Sequence, residues 1–184
     1  LAVVASQIHA ILVQFSTSYV FDGTKQEGYR EDDKPKPLSY YGLTKLAGER
    51  GAAATAKHYI LRLDRLFGQV GSGKKSFVDK FLDTAVRQGR VELIDDEFGC
   101  PTYAPDLAER TRYIIQNRLP YGIYHATNSG SGSWYTWAQE IAKIKGLGVE
   151  LVPVHATAYP RPAARPQYAV LLNTKLPPMR PWQE

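Results

Sequence analysis

Cysteine is nearly absent: Cys100 stands alone among 184 residues. An intramolecular disulfide framework is excluded, and a reducing, cytoplasmic setting is expected. Long apolar runs are missing too. None approaches the ~18 residues of a membrane-spanning helix, so no membrane partner is expected. The opening stretch "LAVVASQIHAILVQF" has neither an initiator Met nor a basic segment ahead of its apolar residues. It reads as interior sequence rather than as a signal peptide. The four histidines, at 9, 58, 125 and 155, have no metal-ligand spacing, so they are expected at packing or surface positions and no metal site is assigned. Also missing from every strand-to-helix turn is the dinucleotide fingerprint Gly-x-Gly-x-x-Gly; "GSGSW" has two glycines without the third and lies toward the other end of the chain. If a dinucleotide is used, the segment that grips its phosphates does not appear in this sequence.

What is present is ordinary folded composition, with 43% hydrophobic and 22% charged residues, enough for one domain or one domain plus a lobe. The net charge of +5 raises the question of a nucleic-acid partner, and its distribution answers it. Residues 151–184 hold Arg161, Arg165, Lys175 and Arg180 against Glu184 alone, together with seven of the twelve prolines. A proline-stiffened segment with spaced arginines suits a loop over an anionic small molecule better than a stripe along a duplex, so no nucleic-acid partner is expected. A solvated tail with scattered charge is the other account, and composition does not choose between them.

Along the chain, strand and helix patterns alternate. "AILVQFS" (10–16), "YILRL", "VELI" and "GIYHAT" read as strands. "TKLAGERGAAATAKH" (44–58), "SFVDKFLDTAVRQG", "PDLAERTRYIIQN" and "SWYTWAQEIAKIKG" read as helices, with Gly89 and Gly146 as stops and Ser133 as an N-cap. Strands separated by helices of this length make βαβ units, hence an α/β fold with a parallel sheet. Ligands in such sheets bind beyond the carboxyl ends of the strands.

Two motifs lie at such ends. "GQVGSGKKS" (68–76) is nearly a phosphate-binding loop, but Lys75 stands where a magnesium-binding Ser or Thr is required and Ser76 is one residue out of register. It reads as a glycine-rich connection. "SYYGLTK" (39–45) places Ser39 as N-cap after Pro37, Tyr41 in the first turn, and Lys45 one turn along the same face. An ammonium near a phenol favours the phenolate and makes it a better proton donor at neutral pH. With twelve tyrosines in the chain, that spacing alone is unspecific. Ser16, Thr17 and Ser18, in "FSTSYVFDG", end the preceding strand, where a hydroxyl could hydrogen-bond the carbonyl that Tyr41 would protonate. A plain strand end before an Asp22-Gly23 turn is the alternative.

The run "STSYVFDGTKQEGYREDDKPKPLSYYGLTKLAGE" resembles the active-site stretch of the dTDP-4-dehydrorhamnose reductases, extended short-chain dehydrogenase/reductases. "FGQVGSGKKSFV", "GCPTYAPDLA", "GIYHATNSGSGSWYTWAQEIA" and "YPRPAARP" continue the resemblance in order over nearly the whole chain. It implies the second half of a Rossmann-like nucleotide-binding fold (residues 1–130, with some substrate-lobe insertions) and a smaller, mainly substrate-binding lobe (131–184). It implies hydride transfer from NADPH or NADH to the ketone of dTDP-4-dehydro-L-rhamnose, with Tyr41 as proton donor and Lys45 lowering its pKa and holding the nicotinamide ribose. Thr17 would orient the ketone, Ser16 would stand at the cofactor, and Tyr19, Arg65, Arg161 and Arg165 would face the dTDP-sugar. Some relatives bind magnesium at a subunit contact, for which no residue here is assigned. The sequence departs from the family pattern at Ser18, where an aspartate usually stands, and at Arg65, where an aromatic is usual. A carboxylate beside Thr17 is therefore expected to be absent. The family's first half with its glycine-rich loop does not appear, so the sheet should have an open edge that invites pairing with another chain, a homo-oligomer included. A non-catalytic binding or regulatory subunit is the alternative function, and a nucleotide-sugar epimerase or dehydratase with the same Tyr-x-x-x-Lys spacing a third.

Overall fold

The computed structural model describes residues 1–69 and 75–184. A short helix α1 (Ala2–Gln7) leads into strand β1 (Leu12–Thr17), then helix α2 (Tyr40–Ala53) and strand β2 (His58–Leu63). A two-residue strand β3 (Leu66–Phe67) precedes helix α3 (Phe77–Gln88) and strand β4 (Arg90–Ile94). Short strands β5 (Phe98–Gly99) and β6 (Thr102–Tyr103) come before helix α4 (Ala104–Gln116) and strand β7 (Gly122–His125). Strand β8 (Gly132–Ser133), helix α5 (Trp134–Lys145) and strand β9 (Glu150–Val154) follow.

Local chemistry sets the helix ends. Ser39 accepts the Gly42 amide at 3.2 Å, and Ser133 accepts that of Thr136 at 3.1 Å. Ser76 and Asp79 form a reciprocal capping box, so Ser76 is a cap. The near-phosphate-loop residues 70–74 lie outside the described residues. Gly89 and Gly146 close α3 and α5 in the left-handed region, as their positions in the sequence predict.

β1, β2 and β7 form a parallel sheet in the order β1-β2-β7, with Ser16 beside Arg62 and Leu61 beside Tyr124. Because side chains alternate across a strand, Tyr59, Leu61 and Tyr124 meet Leu107 and Ile114 of α4 on one face. Ser16 and Arg62 meet Glu49 of α2 on the other. The strand read over 10–16 begins at Leu12. "VELI" does not join this sheet: β4 pairs with β9, a strand the alternation of patterns did not reveal. Its partner is set by packing, since Phe81 of α3 and Trp137 and Ile141 of α5 share a core with Leu93. The C-terminal segment returns to the first body, where Leu171 packs with Val20, Phe21, Tyr29 and Leu46. Among the described residues no helix is long and apolar enough to cross a membrane.

Candidate active site

A cleft of roughly 600 Å³ opens where β1 and β2 end, with Thr17, Tyr19, Tyr41, Asp64, Arg65 and Arg165 among its lining. Thr17 is buried and caps the short 3-10 turn over Ser18–Val20 by accepting the Tyr19 amide at 3.3 Å. Its oxygen is thereby engaged as an acceptor, and its O–H remains a donor for a ligand. Tyr41 enters the cleft from the first turn of α2, 53% exposed, with its ring edge-on to Tyr19 at 5.8 Å between centroids. Burial raises the pKa of Tyr19, so that phenol stays a neutral hydrogen-bonding group. Lys45 donates to the Phe15 carbonyl at 2.6 Å. An ammonium has three N–H donors, so two remain at the end of β1.

The glycine in "SYYGLTK" fixes this arrangement. A Cβ on Gly42 would stand 2.2 Å from the Tyr19 carbonyl oxygen. Only a glycine lets the start of α2 press against the turn that carries Tyr19, which is how residues 22 positions apart come into one cleft.

Ser16 and Arg65 also line the cleft, and they and Arg161 carry further bonds. Ser16, expected at the cofactor, lies in the cleft lining and donates its hydroxyl to Glu49 at 2.5 Å, on the face of the sheet opposite α4. Glu49 also takes two bonds from Arg62, at 2.8 and 2.9 Å. Ser16 therefore serves a buried ion pair. Arg161 donates to the Glu97 carboxylate at 2.8 and 3.1 Å, and Arg165 is the tail arginine that lines the cleft. Arg65 faces the cleft but is clamped: it donates to the carbonyls of Gly132 and Glu97, both at 2.7 Å, and its guanidinium lies 4.2 Å over the Trp134 ring. Its backbone has φ +41°, a left-handed conformation that costs a non-glycine residue about 1 kcal/mol or more. The two charge-assisted bonds offset that cost.

Asp64 is the residue sequence reasoning missed. A carboxylate beside Thr17 was expected to be absent because position 18 is serine, yet Ser18 donates to Asp64 at 2.9 Å, so the carboxylate arrives from the end of β2. The signal was present: an Asp-Arg pair directly follows the apolar strand "YILRL", at a carboxyl end where ligands bind. Glu97 and Trp134 were missed as well, because only folding brings them to Arg65. Among the described residues no cluster of three or more His, Cys, Asp or Glu could hold a metal ion.

The family described as RmlD substrate binding domain matches residues 1–184. A dTDP-4-dehydrorhamnose reductase of Streptomyces griseus is 36% identical over 195 residues, covering 100% of this chain and 63% of that protein. The structure of a dTDP-4-dehydrorhamnose reductase of Bacillus anthracis in complex with NADP superposes with a TM-score of 0.93 at 32% identity, covering 99% of this chain and 66% of that one. The reductase of Clostridium acetobutylicum gives 0.92 at 37% identity, covering 99% and 65%. The chain thus spans less than two thirds of the length of these relatives.

Proposed function

The chain belongs to the RmlD substrate binding domain family, and from that premise we propose that it is part of an NADPH-dependent reductase of dTDP-4-dehydro-L-rhamnose, acting in the cytoplasm. The observation that carries this reading is the convergence of Thr17 and Tyr41 on one cleft, with Lys45 anchored on the neighbouring carbonyl of β1.

The residues present fit a nicotinamide cofactor at the end of β1. Lys45 has unused donors for ribose hydroxyls, and Tyr41 is exposed beside it. When bound, that cofactor supplies the hydride for the ketone carbon. Thr17 donates its O–H to the ketone oxygen, which polarises the carbonyl and fixes its position. Tyr41 delivers the proton to that oxygen as negative charge develops on it, and the Lys45 ammonium stabilises the phenolate left behind. Arg165, exposed at the rim, is suited to the nucleotide diphosphate. In this reading residues 1–130 supply the cofactor side, with 76–97 inserted into the substrate lobe, and 131–184 supply most of the substrate side. The outer edge of β1 and the exposed Val3, Val4 and Ile8 are the face we assign to the remainder of such an enzyme.

The test is Tyr41→Phe in the full-length protein, followed by NADPH oxidation with the ketosugar nucleotide. The expected result is a fall in kcat of about 10²- to 10⁴-fold with an unchanged circular dichroism spectrum. A variant at wild-type rate removes the proton-donor role. A wild-type protein that binds the dTDP-sugar without turnover establishes a binding subunit instead.

A further inference from the structure

Asp64 takes no direct part in the chemistry above, yet it lies in the cleft and is 5% exposed. One carboxylate oxygen accepts Ser18 Oγ and the other the Cys100 amide, both at 2.9 Å. Space is kept for it, since a Cβ on Gly99 would stand 2.0 Å from Oδ2. The arrangement is not a simple ion pair with Arg65. Arg65 Nε and Asp64 Oδ2 are 3.8 Å apart, and the guanidinium hydrogen-bonds backbone carbonyls instead. Both Asp64 bonds are charge-assisted and hold neutral groups of two other segments. One of them, Ser18, is wholly buried and directly follows Thr17, the last residue of β1 paired with β2, so the ladder does not extend to it.

We infer that Asp64 is the positioning residue of the proton-delivery set: its bond to Ser18 fixes the turn that aims the Thr17 hydroxyl, and its bond to Cys100 ties that turn to the β5 side of the cleft. The inference rests on the reductase reading. Burial raises the Asp64 pKa, opposed by Arg65, the Cys100 amide and Ser18. A hydroxyl displaced by about 1 Å from the ketone oxygen forfeits on the order of 10²-fold in rate, so one bond at the strand end has leverage on turnover.

The experiment measures kcat, KM and thermal midpoint in the full-length protein for Asp64→Asn, Ser18→Ala and their combination, with the ketosugar nucleotide and NADPH. Each single variant should lower kcat roughly 10-fold or more while KM for NADPH stays within about twofold of wild type. The double variant should be no slower than Asp64→Asn, because the Ser18–Asp64 bond that Ser18→Ala removes is already disrupted there. Ser18→Ala removes only a hydroxyl and decides the matter should Asp64→Asn fail to fold. A folded Ser18→Ala variant at wild-type kcat, or losses that multiply in the double variant, overturns the inference while leaving the reductase reading intact. A wild-type protein without ketosugar reduction overturns that reading and this inference with it.

Discussion

Two serine–carboxylate–arginine groups stand near the ends of β1 and β2, their serines two residues apart, and are wired in opposite ways. In the inner one, Glu49 takes two bonds from Arg62 and one from Ser16, and the charges satisfy each other beneath α2. In the outer one, Asp64 bonds Ser18 and the Cys100 amide while Arg65 bonds two carbonyls, so the charges lie close but each holds a different segment. All four charged side chains are nearly inaccessible, at 2–6% exposure. Burial therefore does not separate them. The difference is in what each charge is bonded to: opposite charges bonded to each other hold the core, and charges bonded to separate loops set the position of those loops around the cleft.

The largest expected effect breaks the inner group. Glu49→Gln leaves the Arg62 guanidinium buried without its counter-charge and should cost about 3–5 kcal/mol of stability in chemical denaturation. A loss below about 1 kcal/mol would place that charge in water and undo the contrast. Next is acidification of the same region. Burial holds the His125 pKa down at about 4, with Glu31 opposing and Arg62 reinforcing. Its Nδ1 faces the Leu172 carbonyl at 3.0 Å, and its ring is edge-on to Phe21, over which Arg62 lies. A histidine with a depressed folded pKa contributes stability above its unfolded value near 6.5, and that stability is lost as pH falls toward 4. Between pH 7 and pH 5 the expected loss is about 2 kcal/mol, and His125→Gln should flatten the dependence. The smallest effect is in the outer group. Arg65→Lys keeps the charge but cannot reach both carbonyls while lying flat on Trp134, and should cost about 1.5 kcal/mol. Its signature should be a higher KM for the dTDP-sugar, because the β5 and β8 loops that it joins line the substrate side.

How much of this was legible in the sequence varies by residue. The starts at Ser39 and Ser133 and the stops at Gly89 and Gly146 were, because these residues act on neighbours within four positions, whereas the helix read over 44–58 ends at Ala53 and the Ser76 cap was not read. Tyr41 and Lys45 were, because a helix puts residues four apart on one face. The β4–β9 pair was not: its partners lie some 60 residues apart and meet through the core that α3 shares with α5. Arg65 was placed correctly at the cleft, but its clamp was invisible, since its acceptors are backbone carbonyls of residues 97 and 132.

The sequence by itself determined the alternation of strands and helices, the caps, the helical pair Tyr41 and Lys45, and the hydroxyl at the end of β1. These follow from short-range periodicity and from the bonds a side chain makes to its own turn. Only the tertiary structure decided which carboxylate serves which serine. Ser16 and Ser18 look alike in the chain, but strand alternation and the approach of α2 give the first to Glu49 in the core, while the end of β2 gives the second to Asp64 in the cleft. The physical reason is that a buried charge accepts whatever donors its surroundings bring within about 3 Å, and those surroundings come from distant parts of the chain.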